Sequence, residues 1–192
     1  MKEKKFTAVK QCMIALGIVL NILGSFLAVN LKLPIYLDSI GTIFISGLLG
    51  PVYGVTTGLL GSLISGITFD IYSLYYAPVQ IFTALMTGVM FRTKWLQGKF
   101  LPFGCFAASL PTSLVSSLIT AFVFGGITSS GSAYLVVIMN KMGIGLTLSC
   151  FIVQILTDYC DKLVAVLFVT AVLKTMTAEM KEKICGGKHG KI

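Results

Sequence analysis

The chain has 192 residues, of which 56% are hydrophobic and only 11% charged; its mean hydropathy is +0.92 and its formal net charge +8. A soluble domain carries about 25% charged residues, so this deficit points to an integral membrane protein and argues against a soluble one. The apolar runs show no sustained alternation with polar residues, which argues against a β-barrel. The expected fold is all-α: an integral membrane protein, a bundle of six transmembrane helices with both termini cytoplasmic.

The first apolar run, about 6–29, supplies the roughly 20 helical residues that a hydrocarbon core requires. Asn21 interrupts it and is expected to face the bundle, with Gly24 and Ala28 as a small-residue pair for packing. The run lacks a small-residue cleavage site, so it is expected to be retained as a span. Leu33-Pro-Ile-Tyr then forms a loop, because Pro34 lacks the N–H donor that a continuing helix needs. Asp38 heads the next run and is suited to capping its N-terminus. That run, 38–49, is short for a full crossing. Gly50-Pro51 breaks the chain, and a third run extends to about Phe69. Gly50, Gly54, Gly58 and then Gly61 give this run a glycine face that another helix can approach closely.

The segment FDIYSLYYAP, Phe69 to Pro78, places Tyr72, Tyr75 and Tyr76 at the outer side. They read either as an interfacial aromatic belt or as a ligand-contacting loop. A fourth run, 79–91, carries Gln80 near its outer end. The turn RTKWLQGK, Arg92 to Lys99, returns the chain to the cytoplasm. The fifth run, 101–124, repeats Ser109, Ser113, Ser117 and Ala121 every four residues. These hydroxyls are expected to serve packing and back-bonding to the preceding turn. A polar loop, GGITSSGSA at 125–133, follows.

The next stretch, 134–176, exceeds forty residues and is too long for one crossing. It contains Asp158, Asp161 and Lys162, and an isolated charge at the bilayer centre costs at least about 2.5 kcal/mol. A break near these charges would relieve that cost. The last span would then begin at Asp158, and the stretch before it would be a separate membrane-associated helix. The alternative is one span from about Met142 with the charges near its middle. The 1–178 segment is expected to form the membrane domain, and 179–192 a frayed, basic cytoplasmic tail with His189, the only histidine.

Twelve of the fifteen basic residues, all but Lys32, Lys141 and Lys162, fall on one side if the spans alternate. That asymmetry sets orientation, and it accounts for the positive charge without nucleic acid. The five cysteines show neither metal-ligand nor paired spacing, and no cofactor is expected. There is no GxxxxGK[ST] to cradle ATP and no histidine in a span for a Ser-His-Asp arrangement. Asp158 and Asp161 share a helical face and could serve an intramembrane enzyme. Intramembrane charges more often line substrate pathways, so no enzyme is expected.

The outer half of the bundle collects the candidate binding residues. These are Tyr36 and Asp38 from the first loop, Tyr72, Tyr75, Tyr76 and Gln80 from the second, and Asn140 and Lys141 from the third. Gln154, Asp158, Asp161 and Lys162 line the approach to the last span. Tyrosines offer apolar faces with a hydroxyl handle. Amides and charges add oriented hydrogen bonds, and together they make the general form of a small-molecule site.

Leu33-Pro-Ile-Tyr-Leu-Asp-Ser-Ile, Gly50-Pro-Val-Tyr-Gly and Thr157-Asp-Tyr-Cys-Asp-Lys-Leu, in this order, resemble the substrate-binding S-component of an energy-coupling factor (ECF) transporter. The resemblance implies a six-helix bundle in a bacterial cell membrane that captures a vitamin or related small micronutrient from outside. It implies as partners a membrane coupling subunit and two cytoplasmic ATPase subunits. It also implies that the loop at 30–36 acts as a lid. Lys162 matches the lysine that opens the final span in riboflavin and biotin members. Three residues before it, Tyr159 stands where those members have Asn or Asp, so the resemblance does not name either substrate. The family's docking alanine pair is matched only by Ala8 with Cys12, and Ala15 has Val19 four residues on. Two other readings remain open at this point: a membrane sensor or scaffold that binds a small ligand without transport, and the enzyme using Asp158 and Asp161.

Overall fold

The computed structural model describes residues 8–96 and 98–185, all-helical with no strand among them. The start of the first run at Phe6, Gln97 of the basic turn, and His189 lie outside the described residues. The helices are α1 (Ala8–Asn30), α2 (Ile40–Leu49), α3 (Pro51–Thr68), α4 (Ile71–Tyr75), α5 (Ala77–Arg92), α6 (Leu101–Leu118), α7 (Ser132–Lys141), α8 (Leu146–Thr175) and α9 (Ala178–Cys185). A π-helical turn, Ile119–Val123, extends α6.

By length and composition, α1 and the 98–123 helical segment can each cross a membrane, and α8 with α9, bent by 105° at their junction, makes a third candidate. The burial pattern agrees with an apolar surrounding. Leu16, Leu23 and Leu27 of α1 and Phe103, Leu114 and Phe122 of the α6 segment face outward, whereas Asn21, Ser109, Thr112, Ser113, Ser116 and Ser117 are buried. Small and hydrogen-bonding residues at helix interfaces are what lipid-embedded packing favours.

The ten residues of α2 are nearly all buried, with Ile43 and Ile45 fully so. Its first N–H groups need partners from elsewhere. Asp38 does not supply them: the N-cap is Ser39, with no side-chain cap hydrogen bond. Instead Asn21 of α1 caps α2 from the side, its Oδ1 accepting from the N–H of Gly41 at 2.7 Å and of Thr42 at 3.2 Å. Its Nδ2 donates to Thr42 Oγ1 at 2.8 Å. The interruption of the first run is therefore a structural cap for the second.

The glycine face of α3 does the packing that its spacing predicts. A Cβ at Gly54 would meet Ser46 Oγ, one at Gly58 would meet Gln80 and Thr42, and one at Gly61 would meet Asn21. Gly50 sits at φ 108° between α2 and α3, a conformation that glycine adopts without a steric cost. The closest approach of two backbones is at α1 and α2, where a Cβ on Gly41 would strike the Gly17 carbonyl.

Of the two readings of the stretch after 134, the structure follows the second, one helix from near Met142 with the charges near its middle. α7 ends at Lys141 and α8 begins at Leu146; between them Gly143 and Gly145 have φ of 88° and 82°. α8 then runs unbroken through Asp158, Asp161 and Lys162 for 30 residues, about 45 Å at the helical rise. The first reading, a break at Asp158, is not realised: the buried charges are met by hydrogen bonds and an ion pair in place of water. The tail also differs from expectation: 178–185 is helical, Ile184 packs into the core, and Cys185 Sγ donates to the Leu48 carbonyl at 3.2 Å.

Gly41→Ala is expected to force α1 and α2 apart. Overpacking of this kind costs about 1–3 kcal/mol, so the melting temperature of the detergent-solubilised protein should fall well below that of Leu23→Ala, an outward-facing control.

Candidate functional site

Three inter-helix segments meet at one end of the bundle. The N–H of Gly131 and the Ser130 hydroxyl both donate to the Leu33 carbonyl, at 3.0 and 3.2 Å. Tyr36 reaches Thr128 by hydroxyl contact at 3.4 Å. The ring of Phe124 lies 4.7 Å from Tyr72, 5.2 Å from Tyr75 and 6.2 Å from Tyr76, and Tyr36 and Tyr76 lie 5.8 Å apart. Tyr36 and Tyr76 of this cluster roof a cavity.

The cavity is narrow, about 20 Å³, which is room for a water-sized group. Its floor comes from α8, which contributes Asp158 and, about one turn on, the adjacent Asp161 and Lys162. Tyr76, Val79 and Gln80 enter from the start of α5, Asp70 and Ser73 from the segment before it, and Ser116 from α6. Tyr36 and Asp38 close it from the loop before α2.

Asp161 is the clasp of this arrangement. Its Oδ1 accepts from the Leu37 N–H at 2.8 Å, and its Oδ2 accepts from Ser39 Oγ at 2.9 Å. The Lys162 ammonium pairs with the same Oδ2 at 3.7 Å, both side chains being almost fully buried. Leu37 itself has φ 52°, a strained value for a non-glycine residue, and its backbone N–H is held in that conformation by the carboxylate. One turn earlier on the same face of α8, Asp158 Oδ2 accepts from Ser113 and Ser116 at 3.1 and 3.2 Å. Ser113 therefore serves more than helix packing, contrary to its expected role, whereas Ser109 and Ser117 do bond back to their own helix.

A second chain of hydrogen bonds joins the bundle interior to the cavity. Thr42 Oγ1 donates to Gln80 Oε1 at 2.8 Å, and Gln80 Nε2 donates to the Asp38 carbonyl at 3.2 Å. With Asn21 bound to Thr42, α1, α2 and α5 are linked to one wall of the site. Asp38 stands in the loop ahead of α2, and its carboxyl is pushed up to about 7. Burial is the main cause; the Asp161 carboxylate raises it further, Lys162 and Gln80 lower it, and Asp158 adds a small upward push.

Of the residues expected to bind ligand, the structure brings Tyr36, Asp38, Tyr76, Gln80, Asp158 and Lys162 together around the cavity. Tyr72 and Tyr75 pack on Phe124 outside the cavity lining instead, and Tyr75 is half exposed. Gln154 lies one layer below, donating to Thr120 Oγ1 at 2.9 Å, and Thr120 contacts the Tyr76 hydroxyl at 2.5 Å. Asn140 and Lys141 are exposed at the end of α7, away from the cavity. Asp70, Ser73, Val79 and Ser116 line it without having been singled out. Asp70 had a signal, a carboxylate inside the tyrosine-rich segment, while Ser116 was hidden among the packing serines. Among the described residues no group of three or more His, Cys, Asp or Glu is placed to hold a metal ion.

No protein-family model, curated protein or solved structure matches the chain.

Two outcomes test the clasp and the raised carboxyl. Asp161→Asn removes the only carboxylate that lies within 4 Å of the buried Lys162 ammonium among the described residues, and breaking a buried pair in this way costs up to about 3–5 kcal/mol. Adding Lys162→Met should recover part of the lost melting temperature, whereas additive losses would show the pair to be uncoupled. For Asp38, the folded state holds its proton to about pH 7, while the unfolded chain releases it near 3.9. Stability should therefore fall as pH rises through this window and level off above it. Asp38→Asn cannot ionise, so its melting-temperature advantage over the parent should grow from about pH 4 to about pH 7 and then stay constant.

Proposed function

We propose that the chain is the substrate-specific binding subunit of an ECF-type importer, capturing a small vitamin-like nutrient from outside the cell. In this reading six helices, α1, α2, α3, α5, α6 and α8, cross the membrane with both termini cytoplasmic. A coupling subunit and two ATPases supply the energy that this chain, with no phosphate-cradling motif, has no means of drawing from ATP.

The observation that carries the reading is the cavity. Aromatic faces, an amide, carboxylates and one lysine converge from four separate segments onto one enclosed space, the composition of a small-molecule site. The opposite end of the bundle suits a cytoplasmic face. Lys10 lies over Tyr53 at 6.0 Å, a Cβ on Gly50 would approach the Arg92 guanidinium at 2.7 Å, and α9 folds back against α2 through Cys185. These basic residues lie away from the cavity, as the positive-inside rule requires of an outward-facing site. The cavity is too narrow for a whole ring system, so ligand entry requires the 31–39 segment to move outward. That segment is held by the Asp161 clasp and by the Leu33 carbonyl.

A thermal-shift and calorimetric screen of the purified protein against water-soluble vitamins, their precursors and nucleobases should yield one saturable ligand. Co-expression with an ECF coupling module should give a stable complex that takes up that ligand in vesicles. Binding without uptake by the full complex would favour a sensor, and no binding with no complex would defeat the reading.

A further inference from the structure

We infer that the ligand of this site is cationic: a ring compound bearing a compact positive group such as an ammonium, an amidinium or an alkylated ring nitrogen. The inference rests on the binding-site reading above and names the chemistry that the site selects.

Four carboxylates, those of Asp38, Asp70, Asp158 and Asp161, and a single ammonium, that of Lys162, line the cavity. The one cation is already committed. Lys162 is paired with Asp161 at 3.7 Å, and among the described residues this is the only ion pair within 4 Å. Asp161 has in addition both oxygens taken by the Leu37 N–H and the Ser39 hydroxyl. Asp38 and Asp158 also feel the Lys162 charge from farther away, but among the described residues no cation lies within 4 Å of Asp38, Asp70 or Asp158, so one ammonium is shared among four carboxylates.

Asp158 and Asp70 do accept hydroxyl hydrogen bonds, Asp158 from Ser113 and Ser116 and Asp70 from Ser73 at 2.9 Å. Hydroxyl donors satisfy lone pairs but bring no opposite charge. A buried carboxylate without a counter-charge either takes up a proton or attracts a cation. An entering cation supplies the missing charge to several carboxylates at once. A ligand carboxylate or phosphate would bring a further like charge to an already acidic site, and Lys162 is not free to receive it. The aromatic wall agrees in sign: the buried ring of Tyr76, 5.8 Å from Tyr36, offers the electron-rich face that attracts cations. The narrow cavity favours a compact charged head, with the rest of the ring displacing the roof.

The test is a calorimetric and thermal-shift comparison of the full chain, purified in detergent at pH 7.5. The panel consists of water-soluble vitamins, precursors and nucleobases sorted into cationic, neutral and carboxylate-bearing classes. 1-Methylnicotinamide, nicotinamide and nicotinate are included as one ring in three charge states. The tightest ligands should be cations, and their affinity should drop about tenfold or more in Asp158→Asn and in Asp38→Asn, the loss expected for one charged contact. If neutral or anionic compounds bind tightest, the cation assignment is overturned while the binding-site reading stands. If no class binds, both fall. Should the Asp variants fail to fold, the charge ranking on the unaltered protein still decides between these outcomes.

Discussion

The arrangement depends on how the N-terminal end of a buried ten-residue helix is satisfied. α2 lies in the middle of the bundle, with little access to water for its first backbone groups. Unsatisfied N–H groups in such a place are costly. Two side chains from distant parts of the chain solve the problem. Asn21 takes the N–H groups of Gly41 and Thr42, and Asp161 takes the N–H of Leu37 and the hydroxyl of Ser39. The first ties α2 to α1, and the second ties its leading loop to α8. Because the same loop carries Tyr36 and Asp38, fixing α2 also fixes two walls of the cavity.

Close helix packing makes this possible. Gly17 against Gly41 and Gly54 against Ser46 bring backbones near enough for short side chains to bridge helices. Had these positions carried larger residues, Asn21 could not reach the α2 backbone. The apolar bulk that a soluble protein would place inside is here on the outside, in the leucines and phenylalanines of α1 and α6. Glycine, serine, threonine and amides share the interior with an apolar cluster that includes Ile43, Ile45, Phe91, Val166 and Val169. Packing and the cavity wall thus draw on the same residues: Thr42 sits under the glycine face and also passes a hydrogen bond to Gln80 in the cavity wall.

Much of this could be read from the chain before any coordinates. The Gly50-Pro51 break, the glycine spacing of α3, the inward turn of Asn21 and the grouping of Tyr36, Asp38, Tyr76, Gln80, Asp158 and Lys162 all follow from local signals. What could not be read were pairings between distant segments. Asp38 looks like a helix cap because it precedes an apolar run, yet the cap comes from Asn21, about twenty residues earlier. The charges on α8 look like a reason to break a helix, because an isolated charge in lipid is expensive. Ser113, Ser116, Ser39 and the Leu37 N–H, which remove that expense, lie on other elements and carry no mark of it in sequence. Asn140 looks like a ligand contact because it follows a polar loop, but α7 ends by pointing that residue to the outside.

The charge balance of the cavity links its closed shape to how it could open. Asp161 serves both the fold and the site. It holds the 31–39 segment down and pairs with Lys162, so lifting the segment would cost its two hydrogen bonds to the carboxylate while the ion pair within α8 stays in place. Asp38 rides on that same segment, with Asp161 among the causes of its raised affinity for a proton. A cation arriving between Asp38 and Asp158 would relieve the repulsion that Asp38 feels when ionised, and so favour the segment in its closed position. In the closed arrangement the Asp161 hydrogen bonds to Leu37 and Ser39 hold the loop against that repulsion, so a cation that removed it would strengthen a closure the fold already provides.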